Sequence, residues 1–196
     1  MEYKVFCCHH KPLKYRKKNI EKYFIKNKIE IIFIESYEFG VDLLDNPYEI
    51  TNGELSLLLK HYEIFEKIVS LNIDYGFIIE DDLLIPDEFD LDEFFKRIIV
   101  EKNESNIIFF GGTHDMCVYN PSNYKIVYEN YKSSRCTHGY FIDKETCEKI
   151  LMDRKFNRPA DHALNEYIEN INLKCSWTYP HLLQGTVERI EKSSLR

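Results

Sequence analysis

Phe77-Ile78-Ile79-Glu80-Asp81-Asp82 decides how this chain is read. Three apolar residues run straight into three carboxylates. A continuous apolar run of this length predicts a strand covered on both faces, as in a parallel sheet. Three adjacent acids at a strand end repel one another, and a divalent cation offsets that cost. In open α/β sheets, ligands bind beyond the carboxyl ends of the strands. The triplet therefore reads as a site where one or two of its members hold Mn²⁺ or Mg²⁺ beside a phosphate. The competing reading is a solvated acidic loop. Asp87, Glu88, Asp90, Asp92 and Glu93 follow closely, and part of this acidity is plain surface.

Working outward, strand and helix alternate. Val5-Phe6-Cys7-Cys8 reads as a first strand, Leu13 to Lys28 as a basic helix and Glu30 to Ile34 as a second strand. A helix starts near Gly53, with Leu55, Leu58, Leu59, Tyr62, Phe65 and Val69 at helical period. Tyr75 to Ile79 is the third strand. Leu91 to Val100 is a helix with Phe94, Phe95 and Ile98 inward, and Asn106 to Phe110 a strand stopped by Gly111-Gly112. Further on, Lys125 to Glu129 and Gly139 to Ile142 read as short strands open to antiparallel pairing. Lys144 to Met152 and Asp161 to Ile171 are helices, and Leu173 to Thr178 is a last strand. The pattern predicts an α/β fold: one mostly parallel sheet, helices on both faces and a small antiparallel portion in the second half.

The totals bound the function. The 196 residues favour a single domain, with a polar tail from Gly185 that frays or closes back. A net charge of −7 argues against a nucleic-acid binder that works by bulk charge. No apolar run reaches the roughly 20 residues that span a bilayer, and the N-terminus lacks a signal-peptide core, so a cytoplasmic protein is expected. The six cysteines show no CxxC pair and no zinc spacing, which reads as reduced, mostly buried thiols. Oligomeric state is silent.

Other residues carry two readings each. Thr51 and Glu54 have capping-box spacing. His61 lies two turns beyond Glu54, on a stripe with Leu57, Ile64 and Ile68, where a histidine is ordinarily a hydrogen-bonded core residue. Asp161, after Pro159-Ala160, favours the positive end of its helix. It also shares a face with Leu164, Ile168 and Ile171, which would turn it inward as a candidate general base. His9-His10-Lys11 follows the first strand, where a nucleotide could lie. Arg16 and Lys17 suit phosphates or solvent. Lys192-Ser193-Ser194 suits a closing tail or a frayed one, and His181 a third metal ligand or a surface position.

Three blocks together resemble glycosyltransferase family 25, the lipopolysaccharide-type group that includes collagen galactosyltransferase domains. They are Leu13-Lys14-Tyr15-Arg16-Lys17 to Tyr23-Phe24, Ile50-Thr51-Asn52-Gly53-Glu54-Leu55 through His61, and Ile78-Ile79-Glu80-Asp81-Asp82. Gly139 to Ile142, Pro159-Ala160-Asp161 and Tyr179-Pro180 with Gln184 fall in the family's order. The resemblance implies a GT-A fold, a nucleotide-diphosphate sugar donor (UDP-linked), Mn²⁺ or Mg²⁺, and a glycan or protein hydroxyl as acceptor, with inversion at the sugar. It implies a DXD-type role for the triplet. Asp82 would bind metal, beside the candidate ligand His181 already named, and Glu80 would face the donor's ribose or sugar. Asp81, His9, Arg16, Glu54, His61, Lys192 and Ser193 would line the donor side, and Asp161 would be the base. Two departures stand out. The first strand ends in Cys7-Cys8-His9-His10, and Lys60 replaces the usual small residue before His61. The compact length suggests a minimal catalytic domain without an added membrane anchor. The rival readings are a metal-dependent phosphoesterase and a nucleotide-sugar-binding module of the same fold without catalysis.

Overall fold

The computed structural model describes residues 2–38, 40, 42, 45–112, 125–127 and 137–184. Among them the elements run β1 (Tyr3–Cys8), α1 (Lys14–Asn27), β2 (Ile31–Ile34), α2 (Asn52–Ser70), β3 (Tyr75–Glu80), β4 (Leu83–Leu84), α3 (Leu91–Glu101), β5 (Ile107–Gly112), β6 (Lys125–Val127), β7 (Gly139–Asp143), α4 (Lys144–Met152), α5 (Ala160–Asn170) and β8 (Cys175–Gln184). The strands form one sheet in the order β2-β1-β3-β7-β5-β8-β4, with β6 also paired to β8. β1 is parallel to β2 and β3, and β5 is parallel to β8. β7 runs antiparallel between β3 and β5, and β4 and β6 run antiparallel to β8. Five strands thus point one way, and β4, β6 and β7 point the other. The expected α/β architecture stands, antiparallel portion included.

Strand alternation sorts the core into two layers. Phe6, Cys8, Ile78, Tyr140 and Ile142 join α2, α4 and α5 on one face. Val5, Cys7, Phe77, Ile79 and Phe141 join α1 and α3 on the other. Successive side chains of a strand must leave opposite faces, so each strand feeds both layers. Aromatic rings fill the α1/α3 layer, where Phe77 and Phe95 lie 4.1 Å apart and Phe94 meets Phe110 edge-on. Cys7, Cys8 and Cys147 are buried free thiols whose pKa burial pushes up, which keeps them protonated and inert. Cys117 and Cys136 lie outside the described residues.

Two boundaries differ from expectation. β5 runs through Gly111-Gly112, which pair with Leu182 and Leu183. These glycines do not stop the strand. A Cβ at Gly111 would come within 2.8 Å of the Gly139 backbone nitrogen and 2.5 Å of the His138 ring, so Gly111 permits close approach. β8 runs on to Gln184, past Pro180, because its register slips between the Phe109 and Gly111 pairings. An irregularity tolerates the N–H that proline lacks.

The order β2-β1-β3 places the site. From the carboxyl end of β1 the chain passes through α1 to β2 on one side, and from the carboxyl end of β3 it passes to β4 at the far edge of the sheet, so the connections diverge at the carboxyl ends of β1 and β3. Such a divergence opens a crevice that ligands use in open α/β sheets. His9 and His10 stand at the end of β1. The acidic triplet stands at the end of β3, and Cys8 is opposite Glu80 in the ladder.

Candidate active site

The triplet is split by the pleat. Phe77 and Ile79 face α1, whereas Ile78 and then Glu80 face α2 and α5. Asp81 turns back toward α1. Its Oδ1 accepts from the Arg16 guanidinium at 3.0 Å, and its Oδ2 accepts from His9 Nδ1 at 2.7 Å and the His10 N–H at 3.3 Å. Burial by itself would raise the Asp81 pKa, but His9 and Arg16 outweigh it and hold the carboxyl below its usual range. Asp81 is therefore an ionised clamp between β1, β3 and α1.

Glu80 is buried on the other face. Its Oε1 accepts from Thr137 Oγ1 at 2.7 Å, and its N–H donates to the His138 carbonyl. Burial first, then the charge of Asp82, pushes its carboxyl up to about 8, with Asp161 adding to the same field. Glu80, Asp82 and Asp161 thus share one electrostatic neighbourhood although they come from β3, the turn after it and α5. Asp82 is half-buried, with its Oδ1 shielded from solvent. Asp161 is half-buried at the first turn of α5, where its Oδ1 accepts from the His162 N–H at 2.9 Å.

Beneath these acids, His61 Nδ1 and the Tyr140 hydroxyl are 2.7 Å apart with their rings stacked. Burial pulls the His61 pKa down to about 3, so the imidazole is neutral. Its Nε2 is buried and makes no hydrogen bond among the described residues. His61, Thr137, Tyr140, Ala160 and Tyr167 line a cavity of about 10 Å³. That is room for about one water.

The loop after β1 is gripped from a second side. Lys60 is 3 % exposed and Glu38 5 %. Lys60 Nζ donates to the His9 carbonyl at 2.7 Å and to Glu38 Oε1 at 3.0 Å. Glu38 also accepts from the Lys11 N–H at 3.3 Å and pairs with the His10 ring.

The model of glycosyltransferase family 25, described as an LPS biosynthesis protein family, matches residues 11–164. The chain belongs to glycosyltransferase family 25. The matched span takes in α1, all of the triplet and Asp161. A curated relative from Mus musculus, "Inactive glycosyltransferase 25 family member 3", is 31% identical over 80 residues, which is 37% of this chain and 14% of the relative. This chain therefore spans only a small part of that protein's length. A solved glycosyltransferase involved in glycosylation of the major capsid of PBCV-1 matches 78% of this chain and 65% of its own, at 12% identity and a TM-score of 0.46. A putative glucose-1-phosphate thymidylyltransferase from Bacillus anthracis, in complex with a sucrose, matches 90% and 88%, at 9% identity and a TM-score of 0.44.

In this family 25 member the predicted site residues gather unevenly. His9, Arg16, Glu80, Asp81, Asp82 and Asp161 converge around the ends of β1 and β3. His61 lies below them, and its bond to Tyr140 matches the core-residue reading. Arg16 faces Asp81 and the Tyr15 hydroxyl, not open solvent. Glu54 closes the capping box of α2: its carboxylate accepts from the Thr51 N–H at 2.8 Å, and Thr51 Oγ1 accepts from the Glu54 N–H at 3.2 Å. The inward stripe expected for α5 ends sooner, because Ile171 falls beyond the helix and is exposed, leaving Ala160, Ala163, Leu164, Tyr167 and Ile168 as its buried face. Lys192, Ser193 and the side chain of His181 lie outside the described residues. No group of three His, Cys, Asp or Glu side chains stands ready for a metal among the described residues. Glu38, Lys60 and Thr137 were not singled out as site residues. A lysine between Ser56 and Ile64 on a buried helical face was a usable signal for Lys60. Glu38 lies in a loop, and periodicity says nothing there.

Proposed function

We propose that the protein transfers a hexose from a nucleotide-diphosphate sugar, UDP-linked, to a hydroxyl of a glycan or protein, with a divalent cation. The observation that carries this reading is the division of labour at the end of β3. Asp81 is paired with His9 and Arg16, while the carboxyl groups of Glu80, Asp82 and Asp161 share one field on the α5 side of the crevice. Their oxygens suit a hard cation, which takes one or two carboxylates from the protein and the rest of its shell from water and phosphate. Asp82 would hold Mn²⁺ or Mg²⁺, and Glu80 would face the donor. The ion supplies neutralisation of charge on the departing diphosphate.

The protein's own groups do the rest. Asp161 takes the proton of the acceptor hydroxyl. That oxygen forms a bond to the anomeric carbon as the bond from that carbon to the diphosphate breaks, and the electron pair leaves with the nucleoside diphosphate. Attack opposite the leaving group inverts the anomeric centre. His9-His10-Lys11 forms the crevice wall on the β1 side.

A panel of nucleotide sugars with Mn²⁺ and glycan or peptide acceptors tests this through the nucleoside diphosphate released. Release with at least one donor, lost on adding chelator, is expected. No release with any donor would leave the second reading, a binding module without turnover. The word "inactive" in the name of the mouse relative favours that alternative.

A further inference from the structure

We propose that Lys60 is a positioning residue that fixes the His9-His10-Lys11 segment at the mouth of the crevice, an inference that rests on reading the crevice as the donor site. A lysine ammonium this deeply buried is costly unless fully paired. Lys60 is paired twice, and both partners belong to the wall of the crevice. It donates to the His9 carbonyl at 2.7 Å and to Glu38 Oε1 at 3.0 Å. Glu38 in turn accepts the Lys11 N–H at 3.3 Å and contacts the His10 ring. The segment is held on its opposite side by Asp81, which accepts the His10 N–H at 3.3 Å and the His9 ring at 2.7 Å. Two buried carboxylates from two separate loops therefore take two successive backbone N–H groups, and Lys60 is the counter-charge that lets one of them be buried.

The loop carrying Glu38 is itself set for this task. Tyr37 adopts φ +57, in the left-handed region that a bulky side chain seldom enters. That turn delivers Glu38 inward to Lys60. The ammonium sits behind the loop and acts through it, leaving the exposed side chain of Lys11 presented outward. Donor binding should then depend on Lys60 through the shape of the wall, with the chemical step left alone.

The test uses the full chain. Amide hydrogen exchange at His10 and Lys11 is followed in wild type and Lys60→Met without substrate, with Phe77–Ile79 as internal reference. The expected result is exchange about tenfold faster or more at His10 and Lys11, with the reference strand unchanged. Should Lys60→Met fail to fold, Lys60→Met combined with Glu38→Gln removes both charges together and keeps the test, because the His9 carbonyl still lacks its donor. Unchanged exchange in whichever variant folds overturns the proposal. With the active donor, KM should rise by about tenfold with kcat within about twofold, as a lost positioning contact requires. A fall in kcat at unchanged KM also overturns it. Exchange needs no substrate, so a wild-type protein that turns over no donor defeats the transferase reading alone and leaves the loop result standing.

Discussion

Asp81 and Asp82 are neighbours in sequence and opposites in role. Asp81 sits at 8 % exposure between an arginine and a histidine. Replacing it with asparagine removes the charge that the Arg16 guanidinium and the His9 ring face, and a broken buried ion pair costs about 3 kcal/mol. Asp81→Asn should therefore lower urea-unfolding stability by about that amount. Asp82→Asn, which removes the proposed metal ligand, should cost less stability than Asp81→Asn, because Asp82 is only half-buried. Glu80 adds a pH signature. Its carboxyl, near 4.5 when unfolded and pushed up to about 8 when folded, keeps its proton longer in the folded state. The folded state then binds more protons between those values, so stability falls as pH rises through that window. Glu80→Gln should flatten this limb, becoming more stable relative to wild type as pH rises toward 8 in denaturant titrations. His61 acts in the opposite sense. Its folded pKa of about 3 means stability is lost as pH falls from about 6.5 toward 3.

At the scale of elements, the sheet and its helices were readable because period-2 and period-3.6 patterns are strong in β1, β3, α2 and α3. The splitting of the triplet was also present in the sequence. Alternation from Phe77 sends Glu80 and Asp81 to opposite faces, and Arg16, four residues before Ile20 on α1, marks the face that receives Asp81. Glycine was misleading. Gly111-Gly112 signals a stop, yet β5 continues by pairing with Leu182 and Leu183 of β8, and Gly111 is there because its neighbour β7 passes too close for a side chain. The same crowding makes a prediction at Gly139, where a Cβ would meet the Phe110 ring at 2.6 Å. Gly139→Ala should cost about 1–3 kcal/mol in thermal or urea unfolding, as overpacking does. Thr51→Ala tests the start of α2. Loss of its cap should cost about 1 kcal/mol, with the ladder of β3 unaffected in hydrogen exchange. Glu38 stayed hidden because a loop residue has no period, and its partner Lys60 gains meaning only once α2 packs beside β1.

For the molecule as a whole, charge sets the problem that the site must solve. A chain of net charge −7 would, on the proposed function, have to bind a donor carrying a diphosphate. Long-range attraction therefore does not bring the donor in, and local cations must. The sheet order β2-β1-β3 brings both kinds of group to one crevice: the basic first helix and the β1 loop on one side, and Glu80, Asp82 and Asp161 on the other. No helix among the described residues is long and apolar enough to cross a membrane. In the proposed mechanism Asp82, at the turn after β3, holds the ion that makes transfer possible. The decisive measurement is Mn²⁺-dependent release of nucleoside diphosphate from the active donor, in wild type and Asp82→Asn at matched folded concentrations. Asp82→Asn is expected to lose about two orders of magnitude in kcat/KM while remaining folded, with a smaller shift of unfolding midpoint than Asp81→Asn. Full Mn²⁺-dependent turnover by Asp82→Asn would contradict it.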